Sequence, residues 1–249
     1  MNFKLTIQYD GTDLHGWQIQ AGERTVQGEL TRVLSLLEGS DVQVHGSGRT
    51  DAGVHAEAQI ANVHLSRDFT NEKLQAAING NLDGDIRIIR VEQVPEEFHA
   101  RFSAKGKTYR YQVVNSTVMS PFWSRYALHE SRDLDIERMS EAAGCFVGTH
   151  DFTAFSSVNS DSEDKVREIF SFTVEERFDE RGHCRVIAFT VSGEGFLRYM
   201  VRSMVGTILA VGRGEIDSDT IRAALEQRDR KSAGATAPAL GLSLVEVLY

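Results

Sequence analysis

Phe3, Leu5, Ile7 and Tyr9 are apolar while Asn2, Lys4, Thr6 and Gln8 are polar. That period of two predicts a strand with one buried face. From Thr25 the period lengthens, and Val26, Leu30, Val33, Leu34 and Leu37 fall on one side of a predicted helix. Thr25 is placed to cap its start and Gly39 to stop it. Residues 41–46 then read as a short strand, 55–65 as a second strand, 70–82 as a helix and 85–94 as a strand. The first half is therefore ordered strand, helix, strand, loop, strand, helix, strand.

Near Pro95 the order resets. "KTYRYQVVN" predicts a strand with Tyr109 and Tyr111 on one face and Arg110 on the other. A loop carrying Pro121 and Trp123 leads to a helix over 133–148, with Asp133 as its cap. Strands over 165–178 and 183–193 flank a turn at 179–182. A long helix over 195–212 places Phe196, Met200, Met204 and Ile208 in one core stripe, with Arg198 and Arg202 one turn apart on another face. A helix over 218–228 and an apolar strand over 241–249 complete the pattern. The fold class is α+β, with two α+β sandwiches at 1–104 and 105–249, expected to pack tightly around a cleft.

Composition narrows the function classes. With 249 residues, 41% of them hydrophobic and 25% charged, the chain reads as globular. Its two cysteines, Cys145 and Cys184, lack CxxC spacing, which predicts neither a disulfide framework nor a zinc ribbon and fits a reduced, cytoplasmic setting. The N-terminal residues show no apolar signal core, and no run reaches membrane-spanning length. A net charge of -9 argues against a polyanionic partner, but the charge is uneven. Acidic residues gather at 94–100, 160–165 and 174–180, and basic ones at 101–111 and 196–206. This distribution predicts a basic cleft on an acidic body.

The stretch "GSGRTDAGVHA", residues 46–56, carries the candidate chemistry. Its glycines miss the spacing of both phosphate-binding loops, no lysine follows, and an acid sits in mid-loop. Asp51 and His55 lack the companions that a metal site needs. A positioned carboxylate remains, with glycines shaping the turn, Thr50 and loop amides holding Asp51 ionised, and Arg49 reaching an anionic substrate. A plain turn, with Asp51 capping amides and Arg49 in a surface pair, fits the same residues. The loop by itself leaves both open.

Other blocks extend the pattern. "YDGTDLHGWQ", "FHARFSAKGKTYRY", "GTHDFTAF", "GEGFLRYMVRSMVGTILAVGRG" and "APALGLSLVEVLY" occur in order around the loop. Together with "GSGRTDAGVHA" they resemble the tRNA pseudouridine synthase A family across nearly the whole chain. The resemblance implies two related halves forming one extended antiparallel sheet with a central basic cleft. It also implies a homodimer acting on tRNA, and isomerisation of uridine to pseudouridine at positions 38, 39 and 40 of the anticodon stem-loop, with no metal or organic cofactor. By resemblance, Asp51 is the nucleophile, Tyr109 is a catalytic residue that stacks on the target base and acts in removing its C5 proton, Arg198 pairs with the catalytic carboxylate, and Arg49 holds the flipped nucleotide out of the stem. Lys105, Lys107, Arg110 and Arg202 are candidate phosphate contacts. A non-catalytic tRNA-binding or tRNA-folding protein on the same scaffold is the alternative.

Overall fold

The computed structural model describes residues 1–157, 162–230 and 233–249. Ser160 and Asp161, which open the acidic run at 160–165, lie outside the described residues. The chain divides into two compact units. One comprises Met1–Lys105 and Ser243–Tyr249, the other Gly106–Leu242.

In the first unit β1 (Asn2–Tyr9) pairs antiparallel with both β3 (His55–His64) and β4 (Ile86–Val94). Short β2 (Val44–Gly46) also runs antiparallel to β3. The apolar positions of β1 behave as their period requires, with Phe3, Leu5 and Ile7 fully buried. Each such side chain contributes about 1.5–3 kcal/mol by leaving water. Helix α1 (Val26–Glu38) buries Val26, Leu30, Val33 and Leu34. The Thr25 hydroxyl accepts from the Gly28 N–H at its start, and Gly39 ends it at φ 81°. Helix α2 (Asn71–Asn81) is capped in the same way by Thr70 and packs on β4.

In the second unit β5 (Gly106–Asn115), β9 (Cys184–Gly193), β8 (Val166–Asp179) and β7 (Gly148–Asp151) are neighbours in that order, all antiparallel. The three-residue strand β6 (Leu128–Glu130) runs parallel to β5. Helix α3 (Ile136–Gly144) packs on β8 and on α4 (Met200–Gly212), and α5 (Ser218–Gln227) packs on α3. Among the described residues no helix is long and apolar enough to cross a membrane.

Three sequence expectations change. Asp135, not Asp133, caps α3, accepting from the Arg138 N–H. The helix expected from residue 195 starts only at Met200, because Tyr199 takes a left-handed φ of 65° that an α-helix cannot include. Arg198 therefore lies in the turn before α4 rather than on the helix, and Phe196 is not part of its stripe, although Met200, Met204 and Ile208 are buried as expected. Finally, the last strand, β10 (Leu242–Leu248), falls in the second half by chain order but pairs parallel with β3, at Ser243↔His55 and Leu244↔Ala56.

Candidate active site

Asp51 sits in the connection between β2 and β3, half-buried, with exposed Arg49 two residues before it. The loop is fastened from two sides within the first unit. Beneath it, the buried Tyr9 phenol and the Thr50 hydroxyl share a hydrogen bond of 2.8 Å. Burial pushes the Tyr9 phenol up to about 12, so it stays a neutral hydroxyl. Buried Gln59 joins the support: its Oε1 accepts from the Ser47 hydroxyl (2.6 Å) and its Nε2 donates to Gly48 O (3.1 Å). The Ser47 N–H donates to Ile60 O at 2.7 Å. Every link ties loop backbone or side chain to β1 or β3.

From the other side comes residues 10–18, the connection that leaves β1. The Trp17 N–H donates to Thr50 O (3.1 Å), the Gly53 N–H donates to Leu14 O (3.3 Å), and the Gly11 N–H donates to Nδ1 of buried His55 (3.0 Å). Trp17, only 2% exposed, packs its ring against Gly46, where a Cβ would stand 2.4 Å from it. Gly46 is thus a place for the indole, and of the loop's glycines Gly53 has the left-handed φ, at 79°. The chain beyond this connection is held by Arg24. Its guanidinium forks onto Asp85 at 2.6 and 2.9 Å, which holds the Asp85 carboxyl below its ordinary range.

The Thr50 hydroxyl, expected to help hold Asp51, is engaged with Tyr9. The Arg49 Nε donates to Gln18 Oε1 at 3.1 Å, so this side chain rests against the same connection. Tyr9, Ser47, Gln59 and Trp17 are the residues that pattern reading missed. Gln59 was the available signal, a polar side chain inside the otherwise apolar centre of β3.

The second unit arranges its own candidates. Tyr109 on β5 is buried to 8% exposure, with its ring edge-on to Phe196 at 5.2 Å. Tyr111, on the same face, donates its hydroxyl to Pro238 O (2.9 Å). Tyr199, at the left-handed position before α4, has two arginines against its ring. The Arg198 guanidinium is 5.0 Å from its ring centre and that of Arg202 is 4.9 Å away. Arg198 is exposed, whereas Arg202 is half-buried and commits its Nε to Ala237 O at 2.8 Å. Arg110 and Lys107 are half-buried on β5, and Lys105 in the first unit is exposed.

Among the described residues no three His, Cys, Asp or Glu side chains converge to hold a metal ion. Burial raises the thiols of Cys145 and Cys184 above their ordinary value, which leaves both protonated and unreactive.

The chain matches a family model described as tRNA pseudouridine synthase over residues 5–103 and 142–249. It is 45% identical over 249 residues to a protein of Bacillus sp. (strain KSM-64) named tRNA pseudouridine synthase A, covering 100% of this chain and 99% of that one. Proteins of the same name from Bacillus pumilus and Acetivibrio thermocellus are each 44% identical, again across 100% of this chain and 99% of theirs. Since the match takes in the clamped Asp51 loop, the turn before α4 and the strand that returns to β3, the chain belongs to the tRNA pseudouridine synthase family.

Proposed function

We propose that this protein isomerises uridine to pseudouridine in the anticodon stem-loop of tRNA, at positions 38, 39 and 40, with Asp51 as the nucleophile. The observation that carries the proposal is the double fastening of the Asp51 loop, onto Tyr9 and Gln59 on one side and Gly11, Leu14 and Trp17 on the other. A surface turn has no use for such rigidity, whereas a nucleophile held to within a fraction of an ångström does.

The carboxylate of Asp51 attacks either C1′ of the ribose or C6 of the uracil. The C1′–N1 bond breaks, the uracil rotates, C5 bonds to C1′, and the bond to Asp51 is broken again, by displacement of the carboxylate from C1′ or its elimination from C6, while the C5 proton leaves and N1 gains one. The product is an isomer of the substrate, with no net gain or loss of electrons. The target base is paired in a stem and must be flipped, at about a few kcal/mol. Stacking on Tyr109 returns about 1–3 kcal/mol, and the edge-on contact with Phe196 holds that ring in place. Arg49 occupies the space that the base leaves. Arg198 supplies the cation that keeps a desolvated Asp51 charged. Lys105, Lys107, Arg110 and Arg202 contact phosphates along a basic cleft, in a cytoplasmic homodimer.

The test is tritium release from tRNA carrying 5-tritiated uridine. Asp51→Ala and Asp51→Asn are expected to release none while still binding tRNA. Full release by Asp51→Ala overturns the assignment.

A further inference from the structure

Phe102 is 78% exposed, the largest exposure of any large apolar side chain among the described residues. It does not sit on a loose loop. The Ala100 N–H donates to Asn62 Oδ1 (2.9 Å), Ala100 O accepts from the Tyr249 hydroxyl (2.7 Å), and Phe98 O accepts from Asn2 Nδ2 (2.8 Å). The Ser103 N–H returns to His99 O at 2.9 Å, and the Ser103 hydroxyl accepts from the His99 N–H at 3.1 Å. Nδ1 of His99 accepts from the Arg101 N–H at 3.1 Å, which fixes a neutral ring. Burial, His45 and Arg101 all hold the His99 imidazole below its ordinary value, in keeping with that tautomer.

The aromatic surface is continuous. The Phe102 ring lies 4.4 Å from that of His99, which lies 5.0 Å from that of His45, and the Arg101 guanidinium is 5.8 Å from the Phe102 ring centre. A flat, exposed ring on a pinned turn, flanked by a guanidinium and imidazoles, has the chemistry of a single-strand stacking platform. Its place is also informative. Asn62 stands seven residues along β3 from His55, so the turn is about 23 Å from the Asp51 end of that strand. That is too far to touch a flipped uridine and within the reach of an extended tRNA.

We propose that Phe102, with Arg101 and His99, forms a second nucleobase site that stacks an unpaired nucleotide of the tRNA substrate, remote from the base being isomerised. The proposal rests on the tRNA reading above. On a body of net charge -9, the Arg101 guanidinium beside the Phe102 ring supplies the local positive charge that a polyanion needs in order to dock there.

The test measures binding and turnover of unmodified full-length tRNA by Phe102→Ala, Phe102→Leu and Phe102→Tyr in the intact protein, with sedimentation of each. Phe102→Ala and Phe102→Leu are expected to raise Kd and KM about tenfold, with kcat at saturating tRNA unchanged. Phe102→Tyr, which keeps the π face, is expected to bind as the wild type does. Unaltered Kd in Phe102→Ala overturns the proposal. So does equal affinity of Phe102→Leu and wild type, which would make the site merely apolar. A shift of Phe102→Ala to a smaller species in sedimentation overturns it as well, assigning the surface to a second copy of the chain. Binding is read without catalysis, so an active Asp51→Ala protein would remove the nucleophile assignment and leave this result standing.

Discussion

The main-chain N–H of Gly11 donates to Nδ1 of His55 at 3.0 Å, and a Cβ on Gly11 would stand only 2.0 Å from Val54 O. The two residues bring the connection after β1 into backbone contact with the segment that follows Asp51, an approach open to glycine alone. Gly11→Ala is expected to force these segments apart, lowering stability by about 1–3 kcal/mol and turnover by more than stability accounts for. Thermal melting beside single-turnover kinetics checks this. Equal losses in both would mean that the contact serves folding only.

The Tyr9 and Thr50 hydroxyls are buried against each other, and the Tyr9 hydroxyl also reaches Gln59, so removing either one weakens a shared buried network. Tyr9→Phe and Thr50→Val are each expected to destabilise by about 1–3 kcal/mol, and the double variant by less than their sum. Urea unfolding of the four proteins of the cycle gives the coupling. Strict additivity would show that the 2.8 Å bond holds nothing in place.

Tyr199 sets two small effects against each other. Its left-handed backbone costs about 1–2 kcal/mol, and the ring contacts with Arg198 and Arg202 return about 0.5–1 kcal/mol each. Tyr199→Asn, which tolerates that backbone, is expected to melt within about 3 °C of the wild type. Turnover is expected to fall about tenfold as Arg198 loses its support. Unchanged turnover would separate the ring from the arginine's placement.

Asp85 adds a pH signature. Arg24 holds its carboxyl below the ordinary value in the folded protein, so the pair stabilises the fold above the unfolded pKa of about 4 and is lost as pH falls through the lower folded value. Asp85→Asn is therefore expected to melt below the wild type at pH 7. The gap should close as pH drops below about 4. A gap that persists in acid would place the effect in packing rather than charge.

The strands and helices with strong periods were legible in the sequence, because burial of one face is written residue by residue. The cap Thr25 is local and readable, while Asp133 and Asp135 differ only in which one tertiary packing leaves at the helix start. Strands β6 and β7 are too short to show a period. The stop at Tyr199 left no trace, since a left-handed tyrosine is imposed by its surroundings and not by its type. Asp51 stood out through its loop and family likeness. The shell that grips it did not, because Tyr9, Trp17 and Gln59 come from three separate segments that meet only in the fold.

The pairing of β10 with β3 has a consequence for biosynthesis. Residues 243–249 join the sheet behind Asp51, yet they follow the whole second unit in the chain. At roughly 5–20 residues per second, a ribosome spends on the order of 10 s making that unit after residue 105 has been added. Throughout that interval the start of β3, at His55 and Ala56, lacks the partner that β10 later supplies, while β2 covers the strand further along. The unit synthesised first is thus completed last, and the Asp51 loop acquires its final backing only with the closing residues of the sequence.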